Sequence, residues 1–362
     1  MRIALKEARK GLGRTSPNPC VGSVIVQGDE IVGRGYHKKA GTPHAEIHAL
    51  RQAGAKAKGA TLYVTLEPCS HTGRTPPCCE AIAVSGITRL VMGMVDPNPL
   101  VQGRGAEFLK MKGVLVQSGV LEAECRALNR PFIKHISTGR PWVVMKAGLS
   151  LDGKITYQRG KQGWMTSAES LAAVHRLRDQ ADAIMIGKGT VAIDDPSLTA
   201  RLSSGRKGKD PIRVIVDSRL SISENAKVVN QKSNAPTWIF CGLDVEAGKK
   251  ARLEGRGAVI FQLDLAEDGS IDLQKLLDFL GRKGVLSLLV EGGSRLHGNM
   301  LRQQLYDYAY LFYGPVFSGN EGVALLEGYE GLYRENAVKL DEVRSKRLGN
   351  DIMISGCFRY CS

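Results

Sequence analysis

Aromatic residues make up only 6% of the 362-residue chain, and no stretch interleaves them with basic residues. A stacking platform for single-stranded nucleic acid needs that interleaving. The net charge of +14 therefore points to a small anionic partner, a phosphate or dinucleotide, and not to nucleic acid; a purely solubilising role is the alternative account of the charge. Apolar runs all fall short of the roughly 18 residues that a membrane span requires. Residues 1–13 read as an amphipathic helix with Lys6 and Lys10, without the continuous apolar centre of a signal peptide. No membrane partner and a cytoplasmic location are the expectation. Disulfide-scaffold spacing is missing too. The eight cysteines are scattered apart from the Cys78–Cys79 pair, which leaves them for metal binding or as free thiols. At roughly 100–200 residues per domain the length suggests two domains, and the regions without periodicity place a boundary at residues 137–141, giving 1–139 and 140–362.

What is present begins with His44-Ala45-Glu46, Pro68-Cys69 and Cys78. One imidazole, two thiols and a carboxylate stand in the order used by zinc-dependent base deaminases. A catalytic zinc commonly takes three protein ligands and keeps a fourth position open. His44, Cys69 and Cys78 would be the three, one zinc per chain, with Glu46 left free to move protons. Cys79 is an alternative to Cys78; Cys78 is preferred because it directly follows Pro76-Pro77, where a helix would begin and a thiolate would be stabilised. Eight residues separate the two cysteines, against two in the general P-C-x-x-C signature. They are polar, basic and turn-rich, a loop beside the metal.

Strands and helices alternate in the first half: a hairpin over 21–33 with its turn at 27–29, helix 44–53, strand 61–66, helix 79–85, strand 89–95, helix 105–112, strand 114–118 and a longer helix over 121–135. That alternation implies a three-layer α/β sandwich. A second α/β series follows, with buried strands at 142–145, 183–186, 212–216, 237–240 and 285–290. Thr166-Ser167-Ala168-Glu169 fits a capping box opening a helix to about residue 181, and 202–210 reads as a mobile surface loop. Two glycine turns, Gly187-Lys188-Gly189-Thr190 and Glu291-Gly292-Gly293-Ser294, follow strands and look phosphate-directed. Neither is a Rossmann fingerprint; strand-to-helix turns also hold glycine for steric reasons.

The motifs together resemble the bifunctional riboflavin-biosynthesis deaminase–reductase family over almost the whole chain. In the first domain the run Pro68-Cys69-Ser70-His71-Thr72-Gly73-Arg74-Thr75-Pro76-Pro77-Cys78 is the most specific, with Pro17-Asn18-Pro19 and Asp96-Pro97-Asn98-Pro99 beside it. In the second, residues 146–153, 164–167, 194–201 and 290–293 carry the likeness. The resemblance implies a cytidine-deaminase-like α/β/α domain and a dihydrofolate-reductase-like α/β domain, zinc and NADPH as cofactors, a phosphorylated pyrimidine as substrate, and a homo-oligomer, dimer or tetramer. The implied reactions are hydrolytic removal of the 2-amino group of 2,5-diamino-6-(5-phosphoribosylamino)pyrimidin-4-one, then reduction of its ribosyl group to ribityl. Asn18, His71, Asp96 and Asn98 would surround the pyrimidine, with Arg74 near the phosphate or closing the loop. Gly148, Trp164, Thr190, Asp194, Ser218, Gly293, Ser294, Arg295, Leu296, His297, Gly298 and Asn299 would contact NADPH. Lys146, Gln162, Arg178, Leu198, Arg201 and Glu291 would contact the substrate, the two arginines at its phosphate. His37 and His48 are expected to be structural. Rival readings are a cytidine or tRNA-adenosine deaminase with a substrate-binding second domain, and a zinc-stabilised binding protein without catalysis.

Overall fold

A computed structural model describes residues 1–70, 77–99, 101–203, 205, 208–331 and 337–361. The chain divides into two compact units, Met1–Gly139 and Arg140–Ser362.

The first unit runs α1 (Arg2–Ala8), β1 (Gly22–Gln27), β2 (Glu30–Tyr36), α2 (Ala45–Ala53), β3 (Thr61–Leu66), α3 (Cys78–Val84), β4 (Arg89–Met94), α4 (Arg104–Met111), β5 (Leu115–Gln117), α5 (Glu122–Leu128) and α6 (Arg130–Thr138). Its sheet has the order β2-β1-β3-β4-β5, antiparallel on the β2 side and parallel from β3 to β5. Ala49, Ala53, Ile82, Ala106 and Leu109 from α2, α3 and α4 close one core against Ile25, Leu62, Val64 and Leu90. Leu5, Met94, Cys125, Leu128 and Ile133 form another with α1, α5 and α6. Burying apolar faces on both sides of a sheet is what sets the three-layer arrangement. Gly35 lets α2 lie directly on β2, since a Cβ there would run into the Ala45 carbonyl oxygen.

The helix expected over 121–135 is two helices. Pro131 sits in the first turn of α6 and cannot supply an N–H to a continuous helix. The side chain of Asn129, at the break, turns inward instead: its Oδ1 accepts from Cys20 N at 2.8 Å, and its Nδ2 donates to the Cys20 and Cys125 carbonyls.

The second unit continues with β6 (Trp142–Leu149), β7 (Lys154–Thr156), α7 (Ala168–Gln180), β8 (Ala183–Gly187), α8 (Lys188–Asp194), β9 (Ile212–Val216), β10 (Thr237–Cys241), α9 (Ala247–Gly255), β11 (Ala258–Gln262), α10 (Leu273–Arg282), β12 (Ser287–Val290), α11 (Ser294–Arg302), β13 (Tyr308–Tyr313), β14 (Val323–Ala324), β15 (Lys339–Leu348) and β16 (Asp351–Arg359). Nine strands form one sheet, β11-β10-β9-β8-β12-β6-β13-β16-β15, parallel from β11 through β13 and closed by antiparallel β16 and β15. Apolar clusters cover both faces. The cap of α7 is shifted one residue from expectation. Ser167, not Thr166, accepts from the Ser170 N–H, because the Asp351 carboxylate receives Ser167 N, Ser167 Oγ and Ser170 Oγ and holds the turn there. Of the expected surface loop 202–210, residues 204, 206 and 207 lie outside the described set.

Candidate functional site

In the first unit the end of β3, the start of α2 and the start of α3 converge. His44 immediately precedes α2, Cys69 follows β3 and Cys78 is the first residue of α3. His44 Nδ1 lies 3.2 Å from Cys78 Sγ and 3.5 Å from Cys69 Sγ, and all three ligand atoms fall within 4.8 Å of one another. A tetrahedral zinc with Zn–S of about 2.3 Å and Zn–N of about 2.0 Å separates such atoms by roughly 3.5 Å, so the set fits that ion. Cys79 is turned instead into the apolar core between the helices and the sheet. Hydrogen bonding from Cys78 and His44 holds the Cys69 thiol down at about 4, while the same sharing and burial push Cys78 up. A divalent cation would draw off that second proton as well.

Glu46, in the first turn of α2, is buried, and its Oε2 has no hydrogen-bond partner. Burial first, and the nearby Cys69 charge second, push its carboxyl up to about 7. A carboxyl poised near neutrality with a free oxygen is suited to take and return a proton. A cavity of about 500 Å³ joins His44, Cys69 and Glu46 to Asn18, His37, Asp96 and Asn98. Asn18 Nδ2 contacts His37 Nε2 at 3.1 Å, His37 Nδ1 faces the Pro43 carbonyl, and the His37 ring meets that of His44 edge-on at 5.2 Å. His37 thus links a cavity-wall amide to a metal-ligand candidate. Asp96 Oδ1 accepts from Asn98 N at 2.9 Å. His71 and Arg74 lie outside the described residues.

Sequence reading assigned no role to Glu67. Its buried carboxylate accepts the N–H groups of Asp96, Gly103, Gly105 and Ala106 at 3.0–3.2 Å. It ties the Asp96 turn to the start of α4, where a carboxylate meets the positive end of the helix dipole. The pattern Glu-Pro-Cys places it beside a metal ligand, the one signal that marked it.

In the second unit the carboxyl ends of the neighbouring parallel strands β8, β9 and β12 carry the two glycine turns and Ser218. Ligands gather at such ends in open α/β sheets. An ideal Cβ on Gly293 would stand 3.3 Å from Thr190 Oγ1, so the two turns meet, and Gly187 and Gly189 face open space. They border a cavity of about 960 Å³ that also takes in Lys146, Gly148, Gln162, Trp164, Asp194, Leu198, Arg201, Ser294, Arg295, Leu296, His297 and Asn299. Trp164 is 71% exposed on that rim, a large apolar surface open to a ligand. The free N–H groups at the start of α11, after Gly293, and the basic side chains Lys161, Lys188, Arg201 and Lys227 on the walls suit the phosphates of a dinucleotide. NADPH fits this cradle.

Three residues behave differently from the expectation. Gly298 packs against the Glu327 backbone, where a Cβ would collide with the carbonyl oxygen, and is not on the cavity wall. His297 is buried with Nδ1 2.7 Å from the Tyr306 hydroxyl, and burial, then Lys146, push its imidazole down to about 4. Arg178 gives its fork to Glu291, Nε at 2.7 Å and Nη2 at 2.8 Å, with Nη1 on the Thr199 carbonyl. Lys146 Nζ lies 3.4 Å from the same carboxylate. Burial alone would raise Glu291; the two cations outweigh it and hold the group at about 2.

Comparison with known proteins follows this division. Residues 141–354 match the model of the RibD C-terminal domain, and residues 1–94 match the cytidine and deoxycytidylate deaminase zinc-binding region. The chain is 40% identical over 356 residues to the riboflavin biosynthesis protein RibD of Bacillus amyloliquefaciens, covering 98% of this chain and 94% of that one. It is 40% identical to the Escherichia coli protein of the same name, at 98% and 97% coverage. The solved structure of Acinetobacter baumannii RibD superposes with a TM-score of 0.88 at 34% identity, over 99% of this chain and 97% of that one. A Thermotoga maritima structure described as a diaminohydroxyphosphoribosylaminopyrimidine deaminase/5-amino-6-(5-phosphoribosylamino)uracil reductase gives 0.84 at 34% identity, over 100% and 97%. The chain belongs to the RibD family of riboflavin biosynthesis enzymes, which join a zinc-dependent deaminase and an NADPH-dependent reductase in one polypeptide.

Proposed function

We propose that the cavity of the first unit deaminates 2,5-diamino-6-(5-phosphoribosylamino)pyrimidin-4-one at its 2-amino group, and that the cavity of the second reduces the ribosyl chain of the product to ribityl. The observation that carries the reading is Glu46, whose buried oxygen stands unpartnered in the same cavity as the His44/Cys69/Cys78 triad. A structural metal site has no use for such a carboxylate.

His44, Cys69 and Cys78 would hold zinc. When bound, that ion supplies a Lewis acid that makes water nucleophilic at neutral pH. Glu46 takes the proton from the attacking water and returns protons to the ring nitrogen and the departing amine, so ammonia leaves and a carbonyl replaces the amino group. Asn18, Asp96 and Asn98 hold the pyrimidine edge; the Asp96–Asn98 turn is kept in place through Glu67. His71 and Arg74 are assigned to the pyrimidine and the phosphate on resemblance alone.

In the second unit NADPH, when bound, supplies a hydride to the sugar C1′. Gly148, Trp164, Thr190, Asp194, Ser218 and the turn at Gly293, Ser294, Arg295, Leu296 and Asn299 would hold the cofactor. Gln162, Leu198 and Glu291 line the substrate side with Lys146, which orients the sugar. Because Glu291 occupies the Arg178 fork, the exposed Arg201 is the guanidinium left for the substrate phosphate.

We also propose a cytoplasmic homo-oligomer. The eight cysteines are thiols and not disulfides, as suits a reducing compartment, and no helix among the described residues is long and apolar enough to cross a membrane. Sedimentation of the intact chain as a monomer at micromolar concentration would contradict the oligomer.

The function is tested by supplying the diaminopyrimidinone phosphate to zinc-loaded protein. The expected result is ammonia release without NADPH, and substrate-dependent NADPH oxidation once it is added. Zinc-loaded protein that releases no ammonia refutes the deaminase assignment.

A further inference from the structure

Among the described residues, five buried side-chain polar atoms lack a hydrogen-bond partner: Ser23 Oγ, Glu46 Oε2, His48 Nε2, His135 Nδ1 and Arg213 Nη1. Buried polar atoms are nearly always paired, so each orphan asks for an explanation. Ser23, His48 and Arg213 line neither cavity. The other two, Glu46 and His135, line the same one. The Glu46 orphan is explained by a reaction that needs a free carboxylate oxygen.

His135 belongs to α6, which brings Phe132, His135 and Ile136 to the cavity wall. Phe132 is buried and Ile133, on the adjoining face, packs into the core with α1 and α5, so the helix is seated and its cavity-lining residues are held. This wall also lies outside the zinc-binding region that the chain shares with cytidine deaminases, which ends at residue 94. The shared part supplies the metal ligands and Glu46. It also holds Asn18, and the walls beyond residue 94 add contacts that the shared region does not supply.

We infer that α6 is a specificity wall of the deaminase cavity, in which Phe132 packs on the pyrimidine and His135 Nδ1 hydrogen-bonds the part of it that cytosine lacks, the 5-amino and 6-ribosylamino substituents. His135 is a substrate-binding residue and takes no part in proton transfer at the amine that leaves. A site built to hydrogen-bond a substrate group discriminates strongly, because its own polar atom is otherwise left unpaired. This inference rests on the function proposed above.

The ring atom concerned sets the test. Asparagine places an amide atom near Nδ1, whereas glutamine places one near Nε2. Ammonia release from the diaminopyrimidinone phosphate is measured for the full zinc-loaded chain and for His135→Ala, His135→Asn and His135→Gln. Zinc content and reduction of the already deaminated product serve as controls. The expected outcome for His135→Ala is a KM raised by about tenfold, the loss of one hydrogen bond to a buried group, with kcat nearly unchanged. His135→Asn recovers most of that loss and His135→Gln does not. Equal KM values in Asn and Gln variants, or a KM unchanged in all three while thermal stability falls, overturn the inference and make His135 a packing residue. If the alanine variant does not fold, the Asn–Gln comparison decides. Wild-type protein that releases no ammonia overturns the functional reading and this inference with it; wild-type activity with insensitive variants overturns this inference alone.

Discussion

At the scale of single residues the chemistry rests on contrasts between near neighbours. Cys78 and Cys79 are adjacent, yet the first turn of α3 directs Cys78 to His44 and Cys69 and sends Cys79 into the core. Cys78→Ser is expected to lose tightly bound zinc and deamination, whereas Cys79→Ser keeps one zinc per chain; elemental analysis after dialysis against a chelator separates them. Glu291 shows the opposite electrostatic solution to Glu46. Both are buried, but Arg178 and Lys146 keep Glu291 ionised at about 2, while Glu46 rises to about 7. Below its ordinary value of 4.5 the unfolded chain binds a proton at Glu291 that the folded chain refuses. Its contribution is therefore complete above pH 4.5 and is lost as pH falls toward 2, up to about 3 kcal/mol for a shift of this size. The stability gap between wild type and Glu291→Gln, from urea midpoints, should narrow between pH 5 and pH 3. A gap that stays constant would show that the ion pair does not hold the carboxyl down.

The elements show which parts of the structure were legible in advance. Strands such as β3, β8 and β9 are runs of mostly apolar β-formers in the interior of their sheets, and the sequence pattern alone located them. β15 was not legible, because as an exposed edge strand it alternates neither polarity nor burial. The α7 cap moved by one residue through Asp351, 184 positions away from Ser167, a long-range contact that local pattern cannot carry. The helix over 121–135 broke at Asn129 for a similar reason: the proline was visible, but the hold on Cys20, 109 residues earlier, was not. Within the deaminase unit the clustering of His44, Cys69 and Cys78 beside Glu46 was legible as a spaced motif. Glu67 and the α6 wall were not, since the one acts only through backbone N–H groups and the other sits on a helix without a motif. Asn129 gives this scale its prediction. Asn129→Ala removes three buried hydrogen bonds, to Cys20 N and to the Cys20 and Cys125 carbonyls, at a cost of about 2–3 kcal/mol. It also loosens the segment that carries Asn18, so the melting temperature should fall and the deaminase KM rise, with the reductase reaction unaffected. Unchanged melting would mean that Asn129 does not pin the helix break.

At the scale of the whole molecule, each compact unit holds a cavity lined, among the described residues, by its own side chains, and the proposed function gives each cavity one of the two reactions. The proposed function has a fixed order: amine loss first, reduction second. Glu46→Gln interrupts that order at its first step without touching the second unit, and removing a general acid–base group costs on the order of 10²–10⁴ in rate. The most direct measurement is NADPH oxidation by zinc-loaded Glu46→Gln, supplied first with the diaminopyrimidinone phosphate and then with its deaminated product. The account predicts almost no oxidation with the first and the wild-type rate with the second. Oxidation at the wild-type rate with the undeaminated compound, or none with the deaminated one, would contradict it.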